Sequence, residues 1–171
     1  MRKITMYIAC SLDGYIADSD EGIDWLFTDQ DYGYSDFLDS IDTLIMGRKS
    51  WNIIESFGEW PYGDRKVFVF TRNKKMKTDN QNVQFMTSSS TETVEALKNI
   101  EGKDIWLVGG GLIVTEFLSK GLIDEFAVFV HPILLGEGIH LFPKGFDRTY
   151  LKLEGTKQYS SGLVELRYIR Q

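Results

Sequence analysis

Three consecutive glycines, Gly109-Gly110-Gly111, follow directly on the compact apolar run Ile105 to Val108. A short helical pattern comes next, with Ile113, Val114, Phe117 and Leu118 apolar, closed by Lys120-Gly121. A buried strand that runs through glycine into a helix is the signature of an α/β sheet. Glycines here let backbone N–H groups approach an anion with a helix dipole behind them, although a tight turn accounts for them equally well. The segment is not a P-loop, because no Gly-Lys-Ser/Thr follows. Nor is it a complete dinucleotide fingerprint, since Val114 stands at the third-glycine position and no acid ends a strand about 20 residues on.

The rest of the chain repeats the alternation. Ile4, Met6, Ile8, Cys10 and Leu12 share one face of an N-terminal strand that Asp13-Gly14 turns, while Thr5, Tyr7 and Ser11 face the other way. Ile41 to Met46 reads as a second strand ending at Gly47, with a helix following through Glu55. Val67 to Phe70 reads as a third strand, ending at Thr71-Arg72. Ser89-Ser90-Thr91-Glu92 has capping-box spacing ahead of Val94, Leu97 and Ile100, with Gly102 as a stop. Phe126 to Val130 is apolar on both faces, as a central strand covered by helices must be. Tyr150 to Tyr159 and Leu163 to Ile169, joined through Ser160-Ser161-Gly162, read as a terminal hairpin. Together these predict one α/β domain over residues 1–171, a mixed and mostly parallel sheet closed by an antiparallel pair.

Composition narrows the function. Nineteen Lys+Arg against 25 Asp+Glu give a net charge of −6, which argues against a phosphate-facing nucleic-acid surface. No apolar run approaches the ~18 residues of a membrane span, and the apolar stretch after Arg2-Lys3 is too short for a secretion signal. Cys10 is the one cysteine, so no internal disulfide forms and a cytoplasmic home is expected. His131 and His140 show no metal-ligand spacing, and no metal is expected. His131, before Pro132, reads as structural, and no Gly-x-Ser-x-Gly elbow exists.

Three turns carry the remaining chemistry. If their strands run parallel, Gly47-Arg48-Lys49-Ser50, Thr71-Arg72 and Gly109-Gly110-Gly111 converge on one sheet edge, where α/β pockets lie. Arg48 and Lys49 at a helix N-terminus oppose its dipole by roughly 0.3–1 kcal/mol each unless an anion is present. Thr71 and Arg72 add a hydroxyl and a guanidinium suited to a phosphate monoester. Two helix N-termini and three cations suit a ligand with several phosphates.

In this order, Ile45-Met46-Gly47-Arg48-Lys49-Ser50-Trp51, Thr71-Arg72-Asn73 and Val108-Gly109-Gly110-Gly111 with Phe117-Leu118 resemble the dihydrofolate reductase fold. Ser11 to Ala17 is similar to that superfamily's opening segment. Gly121 to Phe126 and His131 to Gly138, ending at Leu141-Phe142-Pro143, resemble most closely the reductase domain of bacterial riboflavin biosynthesis, the RibD C-terminal domain. The resemblance implies a three-layer α-β-α fold and NADPH as cofactor. It places Arg48, Lys49, Thr71 and Arg72 at the adenosine 2′-phosphate, and Gly47, Ser50, Gly109, Gly110 and Gly111 at the pyrophosphate, with Val108 among the cofactor-binding residues. Ala9, Ile16 and Ala17 would line the nicotinamide.

On the substrate side, a carboxylate on the first helix organises the proton in dihydrofolate reductases. Counting back without gaps from Gly47 puts Asp31 there and Trp25 near the position of the family's tryptophan, with Asp36 as a rival. The expected activity is NADPH-dependent hydride transfer to a small pterin- or pyrimidine-type heterocycle or a carbonyl. The alternatives are a non-catalytic module that binds NADPH, or one that binds another phosphorylated ligand. A homodimer is also expected, with the C-terminal hairpin as a candidate edge.

Overall fold

The computed structural model describes residues 1–87 and 91–171. In chain order the elements are β1 (Ile4–Ser11), β2 (Tyr15–Ala17), α1 (Tyr34–Ser40), β3 (Ile41–Gly47), α2 (Arg48–Ser56), β4 (Lys66–Phe70) and β5 (Val83–Met86). They continue with α3 (Thr91–Asn99), β6 (Asp104–Gly109), α4 (Gly111–Ser119), β7 (Glu125–His131), β8 (Ile139–His140), β9 (Leu151–Gln158) and β10 (Val164–Arg170). The main sheet has eight strands in the order β5-β4-β3-β6-β1-β7-β10-β9, and β2 pairs with β8 in a small ladder of its own. From β5 to β7 every pairing is parallel. The hairpin β9–β10 then adds antiparallel to β7.

The apolar pattern sorts the helices to the two faces. Val94 and Leu97 of α3 and Ile113, Val114, Phe117 and Leu118 of α4 bury against Ile4, Met6, Cys10, Ile45, Ile105 and Leu107. Phe37 of α1 with Trp51 and Ile54 of α2 bury against Leu44, Met46, Val67, Val69 and Trp106 on the opposite face. The result is a three-layer α-β-α arrangement with a mostly parallel sheet. Each large side chain taken fully out of water, such as Phe117 or Leu44 at 0% exposure, contributes roughly 1.5–3 kcal/mol.

Several expectations shift. The first strand ends at Ser11 and leaves Leu12 66% exposed, because Gly14 at φ 84° turns the chain there. Its second face is covered as well, since Tyr7 stacks on Phe37 with ring centroids 4.0 Å apart. The third helix stops at Asn99 and leaves Ile100 exposed. The proposed capping box at Ser89-Ser90 falls outside the described residues. The strands β2, β5 and β8, of two to four residues, are too short to show a period in the sequence.

Candidate functional site

The carboxyl ends of β4, β3 and β6 lie side by side, so the three turns do meet at one edge. Gly47 is the register partner of Phe70, and Met46 that of Gly109. From β3 the chain leaves through α2 toward β4. From the neighbouring β6 it leaves through α4 to β7, on the other side. Adjacent strands whose connections diverge open a crevice between them, the place where open α/β sheets hold ligands. Two helix N-termini flank this one. Gly47 caps α2 and Gly110 caps α4, neither with a side-chain hydrogen bond, so the first N–H groups of both helices are left for other partners.

Glycine is needed here for space as well as conformation. Gly109 and Gly110 have φ of 109° and 60°, and a Cβ on Gly110 would come 3.3 Å from Ser50 Oγ. A Cβ on Gly47 would lie 3.7 Å from the Gly109 carbonyl. The backbone of both turns therefore forms one narrow wall, and Ser50 is its half-buried hydroxyl. Around it Arg48, Lys49 and Arg72 are exposed, and no ion pair involves any of them among the described residues. Thr71 is buried and its hydroxyl accepts the Asn73 N–H at 3.1 Å, which fixes the turn that presents Arg72. Uncapped N-termini, unpaired cations and a wall that a Cβ would crowd fit a phosphate-bearing group.

The residues assigned to the nicotinamide are spread over both faces. Ala9 packs with Ala127 and Phe129 on the α1 face, whereas Ile16 joins the core beneath α4. Ala17 is buried and pairs with Ile139, so β2 is held by β8 rather than by the main sheet. Gly138, at φ 150°, is the close neighbour that permits this, because a Cβ there would collide with the Ala17 carbonyl. Val108 is half-buried and packs against the α1–α2 core.

The structure separates the two candidate carboxylates. Asp31 accepts the Ser35 Oγ–H at 2.7 Å and the Ser35 N–H at 3.2 Å. These bonds, the Ser35 hydroxyl first, hold its pKa below the usual 3.8. Asp31 is thus an exposed carboxylate tied into the start of α1, which itself begins at Tyr34. Asp36, in the first turn of α1, lines a cavity of about 430 Å³ between that helix and the β9–β10 hairpin. Lys157, Tyr159, Glu165 and Arg167 form the facing wall.

Register places this cavity relative to the crevice. Ala9 pairs with Phe129, Phe129 with Glu165, and Glu165 with Lys157, a single row across the α1 face. At about 4.8 Å per strand, Glu165 stands roughly 10 Å from Ala9. Glu165 is 4% exposed, forms an ion pair with Arg167, and lies 3.1 Å from the Tyr159 hydroxyl. That hydroxyl is also 3.0 Å from the Tyr32 carbonyl, so its one proton is shared between two acceptors. Burial, and then the Glu165 charge, push the Tyr159 pKa up. Tyr7, in the adjoining row, is raised for the same two reasons. Sequence reading missed Glu165 and Tyr159. The signal available was the i,i+2 pair Glu165 and Arg167, which period 2 puts on one face of the strand.

His131, read from sequence as structural, closes β7 beside Ser11, its register partner. Its Nε2 accepts the Phe27 N–H at 3.2 Å, while Nδ1 lies 3.3 Å from the Phe129 carbonyl. The Trp25 and Phe27 rings stand over it, with centroids at 5.3 and 4.9 Å. Burial lowers its pKa from 6.5.

Comparison with known proteins agrees with this architecture. The chain is 37% and 39% identical to the uncharacterized proteins YyaP and YwjB of Bacillus subtilis, covering 98% and 99% of this chain and 94% and 98% of theirs. The crystal structure of a putative riboflavin biosynthesis protein from Shewanella sp. PV-4 superposes with a TM-score of 0.86 at 29% identity, over 100% of this chain and 99% of that one. Dihydrofolate reductase from Enterococcus faecalis, solved with NADP(H), gives a TM-score of 0.70 at 18% identity over 99% and 96%, a likeness of fold. With the family model for the RibD C-terminal domain matching residues 2–165, the chain belongs to that family.

Proposed function

We propose that this protein is an NADPH-dependent reductase that passes a hydride to a small heterocyclic or carbonyl acceptor. The observation that carries the proposal is the edge where Arg48, Lys49 and Arg72 stand unpaired around the uncapped N-termini of α2 and α4. Arg48, Lys49, Thr71 and Arg72 would take the 2′-phosphate, and the Gly47–Ser50 and Gly109–Gly111 turns the pyrophosphate. NADPH, when bound, supplies the hydride. The chain's own part is to hold the acceptor and handle the proton.

The cavity beside α1 suits the acceptor. It reaches within about two strand spacings of Ala9, and it offers carboxylate, guanidinium, ammonium and phenol groups along one wall or the other. Of the two carboxylates, Asp36 is the better proton-handling residue, because Asp31 is engaged by Ser35 and held in its ionised form. We place the protein in a reducing cytoplasm, where its one thiol, Cys10, is buried with its pKa pushed up to about 11. We also propose a homodimer through β9, the last strand of the sheet, whose outer edge pairs with no other strand among the described residues and which carries the exposed Leu153. Light scattering at micromolar concentration checks the dimer.

The experiment for the function is a tryptophan-fluorescence titration with NADPH and NADH in parallel, followed by turnover assays on pterin, pyrimidine and carbonyl substrates. Saturable quenching that prefers NADPH, with turnover, is the expected result. Binding without turnover makes the protein a cofactor-binding module. No binding of either nucleotide to folded protein removes the nicotinamide and leaves another phosphorylated ligand.

A further inference from the structure

Between β2 and α1 the chain crosses the sheet edge without regular structure, and residues 19–28 form its middle. Most backbone bonds of this stretch close small turns within it, Glu21 N–H to the Asp18 carbonyl and Leu26 N–H to the Ile23 carbonyl. Asp18 gathers the Asp20 and Gly22 N–H groups in the same local way. Among the described residues, one hydrogen bond ties residues 19–28 to the sheet, the Phe27 N–H to His131 Nε2. The two ring contacts to the same imidazole reinforce it. Within this stretch the Trp25 indole N–H is buried and has no hydrogen-bond partner among the described residues.

The tautomer follows from the partners. Phe27 N–H can only donate, so Nε2 must be the acceptor, and the ring proton lies on Nδ1 facing the Phe129 carbonyl. A doubly protonated ring would set one N–H against another and lose that hydrogen bond, leaving the ring contacts and the packing of Phe27 against the cluster that holds Ala127 and Phe129.

We infer that neutral His131 is a positioning residue, the latch that holds residues 19–28, with Trp25, over the carboxyl ends of β1 and β7, and that its protonation releases them. A role in hydride transfer rests on the reductase proposal, because those strand ends border Ala9 and β2. The latch itself does not.

Among the described residues, the groups around His131 leave it no charge partner. β1 meets it through Cys10 and Ser11, its own strand β7 through Phe129, and residues 19–28 through Trp25 and Phe27. Cys10 is the one titratable group in that set, and burial keeps it a neutral thiol. Asp13 bonds the Ser11 hydroxyl and the Leu135 and Gly136 N–H groups instead. Burial thus governs the ring and favours the neutral form, against the smaller pull of the Phe129 and Cys10 carbonyls.

The test is amide exchange of Phe27 and its neighbours in the nucleotide-free full chain from pH 7.5 to 4.5, corrected for intrinsic exchange. Opening of the segment should rise toward about tenfold for each pH unit below about 6.5, levelling off at the pKa of the closed form. His131→Gln keeps a donor and an acceptor but does not titrate, so its segment should stay protected with a flat profile. His131→Phe should be open at every pH. Should that variant fail to fold, the Gln variant alone decides. A Gln variant that opens with the same pH profile as the native protein overturns the latch. NADPH titrations on the same samples keep the two proposals apart, since a His131-dependent profile without NADPH binding retains the latch and removes the reductase.

Discussion

The carboxyl edge of the sheet has two unlike halves. Over β4, β3 and β6 it is made of short turns whose shape comes from backbone: Gly47, Gly109 and Gly110, two uncapped helices, and cations projecting into water. Over β1, β7 and β10 it is made of long connections and rings, with residues 19–28 held by His131 and α1 held by Phe37 on Tyr7. The first half has a fixed mould that leaves little room for change. The second depends on single side chains borrowed from distant strands. A ligand's constant part suits the first half and its variable part the second, a division of labour that mutations can break.

The largest effect is expected in the mould. Gly109 lies at φ 109° with the Val114 methyl 3.7 Å from any added Cβ. Gly109→Val should lower stability by roughly 1–3 kcal/mol through backbone strain, read as a shift of the urea midpoint at unchanged slope. NADPH binding should fall at least tenfold with it. A stable variant with native affinity would show that the turn has slack and would erase the contrast between the halves.

Next come the charges. A hydrogen bond to a charged group contributes ~1.5–3 kcal/mol, and solvent screening at an exposed arginine takes the low end of that. Arg72→Ala should therefore cut the NADPH-over-NADH preference about tenfold, with NADH affinity nearly unchanged. An unaltered ratio removes Arg72 from the site. On the other half, Asp36→Asn should depress turnover at a saturating cofactor level by tenfold or more, while Asp31→Asn leaves turnover near native and only loosens the start of α1. The reverse ranking would return the proton-handling role to Asp31.

How much of each half could be read from sequence follows from the same physics. The strand–glycine–helix junctions at Gly47 and Gly109 are local: the apolar run, the turn and the helix face lie within about a dozen residues, so the pattern states the geometry. The alternation of strands and helices also placed the sheet, since β6 and β7 are apolar on both faces as central parallel strands must be. The other half is assembled from residues far apart in the chain. Phe27 meets His131 across 104 positions, and Tyr159 meets Tyr32 across 127. Nothing in either local sequence announces the partner, and an isolated histidine before a proline reads as structural until the loop is seen on it. The choice between Asp31 and Asp36 stays open in the sequence for the same reason. Counting back from Gly47 reaches Asp31, which lies ahead of the helix because Gly33 at φ 80° precedes an α1 that begins at Tyr34, while Asp36 on that helix lines the cavity.

The smallest effect concerns acid. Asp13 accepts the Ser11 hydroxyl at 2.6 Å and the Gly136 N–H at 2.8 Å, joining the β1 turn to the stretch after β7. Those bonds, Ser11 first, lower its pKa from 3.8, as Ser35 does for Asp31. A carboxylate whose folded pKa is depressed binds fewer protons folded than unfolded, so its stabilisation is present above about pH 4 and is lost as pH falls through the folded value. Urea midpoints should therefore decline modestly between pH 5 and pH 3, and Asp13→Asn should flatten part of that slope. The His131 term lies in a different window, because a histidine with a depressed folded pKa weakens the fold as pH falls below about 6.5. Two separate inflections, the more acid one diminished by Asp13→Asn and the other abolished by His131→Gln, would show that the loops of the second half are held by distinct groups. A single inflection insensitive to both substitutions would mean that these loops contribute nothing to the acid limb, and that the half they cover is held by its aromatic packing alone.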